Sequence, residues 1–137
     1  MITAVDSNII YDVLTGEATY EPASSLALAM GSGDGGLIVC EVVLAEVAAG
    51  FPDSPALLNS LDLLEIGIEP IGREAAFAAG ARWRDYRLQG GPRARILPDF
   101  LIGAHALYQA DRLLTRDRGF YRHYYSELKI LDPMSSR

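Results

Sequence analysis

Five short apolar segments, separated by longer stretches of helical character, constrain the fold of this chain more than any other feature. They lie at residues 2–5, 37–39, 66–71, 112–115 and 129–131. Apolar runs this short are typical of strands that are buried on both faces of a parallel sheet. Because helices must then connect one strand to the next, the sequence predicts an α/β fold with a mostly parallel central sheet and helices on both of its faces.

The stretches between these segments carry the usual signals of helix ends. Ser7 and Asn8 can cap a helix that begins at residue 9, and Ser54 followed by Pro55 marks another start. The helix that starts at Ser54 is predicted over residues 54–64. The remaining helices are predicted over residues 22–30, 41–49, 73–88 and 100–110.

Two stretches of the second half carry more specific expectations. In the helix over 73–88, the side chains of Phe77, Ala81 and Trp83 are expected to point inward. Residues 116–119 are predicted as a turn and residues 120–125 as a short irregular piece.

A glycine-rich segment, residues 31–36, matches the pattern G-x-G-x-x-G. The dinucleotide-binding fingerprint requires a strand before this pattern and a helix after it. Here a predicted helix precedes it and a predicted strand follows it, so we interpret the segment as the end of a helix and a loop.

The chain has 137 residues, of which half are hydrophobic and 22% are charged. This composition is typical of a globular protein, and the length fits a single domain over residues 1–137. Cys40 is the one cysteine, so no disulfide can form within the chain. No signal peptide is recognisable, and no stretch approaches the ~20 apolar residues of a membrane span. We therefore expect a cytoplasmic protein with no membrane contact.

The charged residues are divided unevenly along the chain. Residues 1–72 contain 11 acidic residues and no Lys or Arg, whereas residues 73–137 contain all 12 Lys and Arg and 7 acidic residues. The two parts carry −11 and +5, which gives the net charge of −6. An acidic total argues against nonspecific nucleic-acid binding, although the basic part could hold phosphates. On charge alone, solvated helix faces are the simpler interpretation.

Four acidic residues fall where a parallel sheet forms its functional site, beyond the carboxyl ends of the strands. Asp6 directly follows the first predicted strand, Asp117 follows the fourth by two residues, and Asp99 opens a helix. Glu46 lies in a helix that is apolar almost all round, where an acid usually faces a cation or a polar cleft. Taken singly, the aspartates are explained as well by helix caps or turns.

Taken together, the four acids indicate a metal site. Converging carboxylates raise one another's pKa and need a cation. Oxygen ligands favour Mg²⁺ or Mn²⁺ over zinc. Cys40, His105 and His123 do not form a Cys–His set with zinc spacing. His105 lies on an Ala-rich helix, and we interpret it as a packed residue and not as a base.

Four segments of the chain, taken in order, resemble the PIN-domain nucleases. They are residues 5–8, 41–47, 98–107 and 114–120, and each contains one of the four acids. Within that family the segments look like the VapC toxins of prokaryotic toxin–antitoxin pairs. The resemblance implies a three-layer α/β/α sandwich and a Mg²⁺- or Mn²⁺-dependent endoribonuclease. It also implies homodimerisation and inhibition by a small antitoxin protein.

The resemblance assigns roles by position. It implies that Asp6, Glu46, Asp99 and Asp117 are both the catalytic acids and the metal ligands. Thr115 would be a hydroxyl that forms hydrogen bonds within the cluster.

Other positions have supporting roles or depart from the family. Asn8 would be a polar supporter of the acids. The arginines that are candidates for holding RNA phosphates are Arg93, Arg95, Arg116 and Arg118. The family commonly has Ser or Thr before the helix that carries the second acid, whereas this chain has Cys40, which is a poor cap.

Two other functions stay open at this point. A catalytically weak PIN-like module could act by binding a partner, although the complete set of acids argues against it. Another Mg²⁺-dependent phosphotransferase could use a similar sheet. Tyr121, Tyr124 and Tyr125 either stack on RNA bases or contribute packing.

Overall fold

The computed structural model describes residues 1–91 and 97–135. Its strands are β1 (Thr3–Val5), β2 (Leu37–Val39), β3 (Ile66–Ile68), β4 (Arg112–Leu114) and β5 (Ile130–Leu131). Its helices are α1 (Ser7–Thr15), α2 (Glu21–Gly33), α3 (Glu41–Gly50), α4 (Ser54–Leu63), α5 (Arg73–Leu88), α6 (Leu97–Gln109) and α7 (Arg118–Tyr124). Each predicted strand is present, and the predicted α/β class is confirmed.

The five strands form one sheet in the order β3-β2-β1-β4-β5, and every pair is parallel. The chain builds outward from β1 to β2 and β3, and then returns to add β4 on the other side of β1. In the register of β1 and β4, Val5 lies opposite Leu114. The direction of winding therefore reverses between β1 and β4, which is where open α/β sheets place their sites.

The core surrounds β1, the central strand of the sheet, and its neighbour β4. Val5, Leu113 and Leu114 are buried, as their apolar side chains favour. Leu61 and Phe100 are among the largest side chains that the helices contribute. The ends of β1 and β4 are thereby held on a rigid scaffold.

Two helices are capped by the residue just before the caps that the sequence suggested. Helix α1 starts at Ser7 because the Asp6 side chain accepts a hydrogen bond from the Ser7 backbone N at 2.8 Å. Helix α4 is capped by Asp53, whose Oδ1 accepts from the Ala56 backbone N at 3.1 Å. In both cases an aspartate just before the expected cap takes the role, since its carboxylate is a good acceptor for the free N–H groups of a helix start.

The segment after β4 is a helix, whereas the sequence predicted a turn and an irregular piece. Helix α7 has seven residues, and its Tyr121 is fully buried. The Phe120 ring packs edge-on against Phe100, with 5.1 Å between ring centroids. Such tertiary contacts stabilise a helix that is too short to be stable by its own propensity.

The inward face of α5 differs from the prediction. Phe77 is 74% exposed, and Ala81 is exposed as well. The buried positions are Ala75 and Ala79, one turn apart, which let α5 pack closely on α6. The prediction for Phe77 and Ala81 is therefore wrong, because the buried face of α5 is the one that carries Ala75 and Ala79. Trp83 is partly buried against the core, as expected.

The glycine-rich segment has the context that the sequence predicted. Helix α2 continues into it as far as Gly33, and β2 begins at Leu37. Gly35 and Gly36 have φ of 145° and 135°, a conformation that favours glycine. Separately, none of the helices in the described part of the chain is long and apolar enough to cross a membrane.

Candidate active site

Asp6 lies at the centre of the site, directly beyond the end of β1. Its backbone N donates to the Leu114 carbonyl at 3.0 Å, which continues the pairing of β1 with β4. The side chain is only 5% exposed. Burial raises the pKa of Asp6 most strongly, the hydrogen bonds from Thr115, Ser7 and Tyr121 lower it, and Asp117 raises it further.

Thr115 and Asn8 hold the Asp6 carboxylate. The Thr115 hydroxyl donates to Asp6 Oδ2 at 2.7 Å. Asn8 Nδ2 lies 3.3 Å from Thr115 Oγ1 and 3.5 Å from Asp6 Oδ2. The side-chain oxygen of Asn8, Oδ1, accepts a hydrogen bond from the Arg116 backbone N at 3.2 Å. Asn8 and Thr115 thus contact Asp6 and connect the ends of β1 and β4.

Glu46 reaches the site from α3, the helix that follows β2. The Ser7 hydroxyl donates to Glu46 Oε1 at 3.1 Å, and the Tyr11 hydroxyl donates to the Glu46 backbone carbonyl at 2.7 Å. Burial raises the pKa of Glu46, the Ser7 hydrogen bond lowers it, and Asp6 raises it. A glutamate on this apolar helix therefore faces a polar cleft next to Asp6.

Asp99 lies in the first turn of α6, two residues after the helix begins at Leu97. Its pKa is raised to about 6, first by burial and then by the negative charges of Asp6, Asp117 and Glu46. The other three predicted acids are therefore all close enough to affect the ionisation of Asp99. Such mutual repulsion is typical of carboxylates that share a site.

Asp117 completes the cluster from the start of α7. It occupies the N-cap position but makes no capping hydrogen bond with its side chain. Its backbone N donates to Thr115 Oγ1 at 3.0 Å. The residue is exposed, so its carboxylate is available to solvent and to ligands.

The donor set fits a hard divalent cation in its chemistry, because its charged groups are all carboxylates. In residues 1–91 and 97–135, no group of three or more His, Cys, Asp or Glu side chains is arranged to hold a metal ion directly. Mg²⁺ usually keeps several waters and takes only one or two protein carboxylates, so it does not require such a group. Burial first, and then the charges of Asp6, Asp117 and Glu46, raise the pKa of Asp99, and a cation at the cluster would offset the part that comes from these charges.

The predicted arginines differ in their surroundings. Arg93 and Arg95 lie outside the described residues. Arg116 donates two hydrogen bonds to Asp12, from Nε to Oδ2 at 2.8 Å and from Nη2 to Oδ1 at 2.9 Å. Arg118 pairs with Asp132 at 3.0 Å and keeps 45% of its side chain exposed.

Sequence reasoning missed three residues that contact these groups. Tyr121 is fully buried, and its hydroxyl lies 3.3 Å from Asp6 Oδ2. Ser7 bridges toward Glu46, and Asp12 is the buried partner of Arg116. Asp12 could have been noticed as an acid on the apolar face of α1, six residues after Asp6. Nothing in the sequence distinguishes Tyr121 from its neighbouring tyrosines.

The residues that were not expected to react are accounted for by packing. His105 is 1% exposed, its Nε2 lies 2.9 Å from the Glu69 carbonyl oxygen, and burial lowers its pKa. Cys40 is buried at the N-cap of α3 and makes no side-chain capping bond there. Tyr121 and Tyr125 are fully buried, so packing is the interpretation that the structure favours for both.

Comparisons with known proteins identify the family and the fold of the chain. The sequence model of the PIN domain matches residues 3–124. No curated protein sequence matches the chain significantly.

The fold is similar to that of several solved structures. A structure named as a toxin–antitoxin complex, from Klebsiella pneumoniae, has a TM-score of 0.69 at 20% identity, covering 98% of this chain and 99% of that one. A chain of VapBC2 from Rickettsia felis, bound to a DNA fragment from its promoter, has a TM-score of 0.71 at 19% identity, covering 96% of this chain and 98% of that one. FitAcB from Neisseria gonorrhoeae has a TM-score of 0.72 at 18% identity, covering 99% of this chain and 100% of that one. VapBC-1 from nontypeable Haemophilus influenzae has a TM-score of 0.72 at 19% identity, covering 98% of this chain and 100% of that one. The match to the family model spans nearly the whole chain, and the chain therefore belongs to the PIN domain family.

Proposed function

We propose that the protein is a metal-dependent endoribonuclease that hydrolyses RNA phosphodiesters and is the toxin of a type II toxin–antitoxin system. The observation that carries this proposal is the placement of the four acids around the ends of β1 and β4, where burial first, and then the charges of Asp6, Asp117 and Glu46, raise the pKa of Asp99. Four acids from four separate segments converge at the switch point of the sheet. Strongly perturbed carboxylates in such a position indicate a functional site.

Each acid would help to hold a Mg²⁺ or Mn²⁺ ion. The bound ion would supply a water of lowered pKa and would offset the charge that develops on the phosphoryl oxygens. Asp6 is fixed by Thr115 and the Ser7 backbone, so its position does not have to change when the site fills. In the described part of the chain, no residue donates a hydrogen bond to the Asp99 side chain, which leaves its oxygens free for a ligand.

Basic side chains of the second half of the chain would hold the RNA phosphates. We propose Arg93, Arg95 and Arg118 for this role. Arg118 is half exposed and follows Asp117 directly. Arg116 is a weaker candidate, because its Nε and Nη2 already donate hydrogen bonds to Asp12.

The proposal is tested by incubating the purified protein with total RNA in Mg²⁺, in Mn²⁺ and in EDTA. We expect cleavage with either ion and none in EDTA. Hydrolysis of a small phosphomonoester without RNA cleavage would favour a phosphotransferase. Failure to bind Mn²⁺ in calorimetry, together with absence of cleavage, would favour a partner-binding module.

A small antitoxin would be the partner of this toxin in the cytoplasm. A solved structure of similar fold, from Klebsiella pneumoniae, is named as a toxin–antitoxin complex. An Arg of the antitoxin could pair with the carboxylates and compete with the ion, since a guanidinium binds carboxylates in a bidentate manner. Residues 1–72 carry no basic charge that would repel such a side chain.

An apolar groove offers a place for an apolar segment of the antitoxin. It has a volume of about 290 Å³ between the end of α1 and the start of α4, and Leu14, Phe51, Pro52, Ala56 and Leu57 line it. Asp53 lies at the same groove. A partner segment with apolar and basic side chains would complement these walls.

The groove assignment is tested with a substitution that α4 tolerates. Ala56→Glu places an acid in the first turn of α4, where the helix dipole favours it. We expect it to weaken co-purification of the protein encoded by the adjacent gene, because the carboxylate would be buried under an apolar segment. Asn59→Glu, exposed and outside the groove, is the matched control. Unchanged binding by Ala56→Glu would refute the assignment.

We also propose the homodimer that the family resemblance implies. Exposed apolar side chains on α5 and α6, Phe77, Leu88 and Tyr108, are candidates for its surface. Light scattering on the purified chain measures its mass directly, and Phe77→Glu should lower that mass if this face is used.

A further inference from the structure

We propose that Tyr121 is a positioning residue for Asp6, and that its hydroxyl sets the orientation in which the Asp6 carboxylate meets its ligand. The proposal rests on the function proposed above. Tyr121 is 0% exposed, and its Oη lies 3.3 Å from Asp6 Oδ2. The sequence suggested only stacking on RNA bases or packing for Tyr121, and no contact with Asp6.

The contact is part of an asymmetric set of hydrogen bonds around Asp6. Oδ2 accepts from Thr115 Oγ1 at 2.7 Å, from Tyr121 at 3.3 Å and from Asn8 Nδ2 at 3.5 Å. Oδ1 accepts from the Ser7 backbone N at 2.8 Å, and the Ser7 hydroxyl, 3.5 Å from Oδ1, donates its one proton to the nearer Glu46 Oε1 at 3.1 Å. A carboxylate has about four lone-pair sites. The donors on Oδ2 therefore leave Oδ1, on the Ser7 side, as the oxygen with capacity for another partner.

Oδ1 faces the part of the site where Glu46 lies. The Ser7 hydroxyl is 3.5 Å from Asp6 Oδ1 and 3.1 Å from Glu46 Oε1. If Oδ2 loses the Tyr121 donor, Thr115 and the Ser7 backbone N still hold the carboxylate, but its rotation about the Cβ–Cγ bond is less restricted and the direction of the free lone pair is less well fixed. Tyr121 would thus act on the site without contacting RNA, because it is completely buried.

Tyr121 also connects two of the acids through the backbone of α7. It lies one turn after Asp117, which occupies the N-cap position of this helix. Its hydroxyl holds α7 against the end of β1, where Asp6 lies. The same contact therefore fixes Asp6 and limits movement of Asp117 relative to it.

Tyr125 provides a matched control. It is also 0% exposed, and its hydroxyl donates one hydrogen bond, to the Phe100 backbone carbonyl at 2.6 Å. Tyr121→Phe and Tyr125→Phe each remove one buried hydroxyl and keep the ring. The two variants should lose similar amounts of stability, because each leaves a buried acceptor with one donor fewer. The two variants should differ only in their affinity for Mn²⁺ and in their rate of RNA cleavage.

The test compares both variants with the wild type in urea unfolding, in Mn²⁺ calorimetry and in the kinetics of RNA cleavage. For Tyr121→Phe we expect kcat to fall about 10-fold or more and Mn²⁺ binding to weaken, as for other residues that support metal ligands. We expect KM to stay within about two-fold, because no contact to RNA is removed. Tyr125→Phe should keep the wild-type kcat and Mn²⁺ affinity.

Three outcomes would overturn the positioning role. They are wild-type kcat and Mn²⁺ affinity in Tyr121→Phe, equal losses in both variants, and a wild type that binds no Mn²⁺. If the wild type binds Mn²⁺ but cuts no RNA, the proposed function fails, while the Mn²⁺ affinities of the two variants still decide the role of Tyr121.

Discussion

The Thr115 hydroxyl donates a hydrogen bond to Asp6 Oδ2 at 2.7 Å, and this contact joins the ends of the two central strands. The same oxygen of Thr115 lies 3.0 Å from the Asp117 backbone N and 3.3 Å from Asn8 Nδ2, both of which can donate to it. A hydroxyl has one donor and two acceptor sites, so each of them is used here. One side chain thereby fixes the relative positions of Asp6 and Asp117.

Replacing Thr115 by Val should therefore weaken both the fold and the site. The change keeps the shape but leaves the Asp117 N–H and Asn8 without their acceptor, at a cost of about 1–3 kcal/mol of unfolding free energy. We expect RNA cleavage to fall by about 10- to 100-fold, as for other residues that orient metal ligands. Thr115→Ser keeps the hydroxyl, and its cleavage rate should be close to that of the wild type. Equal rates for Val and Ser would show that the hydroxyl has no role in the site.

Asp99 should make the metal-free protein less stable as the pH rises. Its pKa in the folded state is about 6, above the ordinary value of 3.8, so the folded state holds the proton more tightly than the unfolded state does. The stability that the protonated group contributes is present at low pH and is lost as the pH rises from about 4 through about 6. Asp99→Asn imitates the protonated form, and we expect it to raise the Tm in EDTA at pH 7.5 but not at pH 4.

The same variant should respond less to Mn²⁺, because a ligand has been removed and the repulsion that the ion relieves is smaller. Asp62→Asn is the control of equal charge change, since Asp62 is exposed on α4. A wild-type Tm in EDTA, together with a wild-type increase of Tm on adding Mn²⁺, would exclude Asp99 from the cluster.

The pair of Arg116 and Asp12 should contribute mainly to stability. The Asp12 side chain is 4% exposed and receives the Arg116 guanidinium and the Ser24 hydroxyl, the latter at 2.8 Å. Arg116→Gln would leave a buried carboxylate without its cation, and we expect a loss of about 3–5 kcal/mol in urea unfolding. Asp12→Asn should cost less, because its amide oxygen can still accept. A rise of KM for RNA in Arg116→Gln but not in Asp12→Asn would show that Arg116 also holds phosphate.

The strands and the meeting of the acids could be predicted because both follow from local patterns. Short apolar runs specify the parallel sheet, and the sheet brings the residues after β1 and β4 together. Asp6 and Asp117 were found in this way. Glu46 was found because a charged side chain on an apolar helix needs a polar partner, which Ser7 provides.

The remaining features depend on contacts between distant parts of the chain. Helix α7 forms because Phe120 and Tyr121 pack in the core, and no capping or periodic signal announces that packing. Phe77 is exposed while the smaller Ala75 and Ala79 of the same helix are buried, so the size of a side chain did not predict the direction in which it points. Tyr121 contacts Asp6 across 115 positions in sequence, a distance at which sequence patterns carry no information about contact.

The most direct test of the account compares RNA cleavage by the wild type with that by Asp6→Asn, Asp99→Asn and Asp117→Asn, each in Mn²⁺ and in EDTA, with Asp62→Asn as the control. Each site variant removes one charge and keeps nearly the same shape. We predict folded proteins whose cleavage falls by more than about 100-fold, beyond the loss typical of residues that only support a metal site, and a control equal to the wild type. Near wild-type cleavage by two of the three site variants would contradict the claim that these acids form one catalytic, metal-holding cluster.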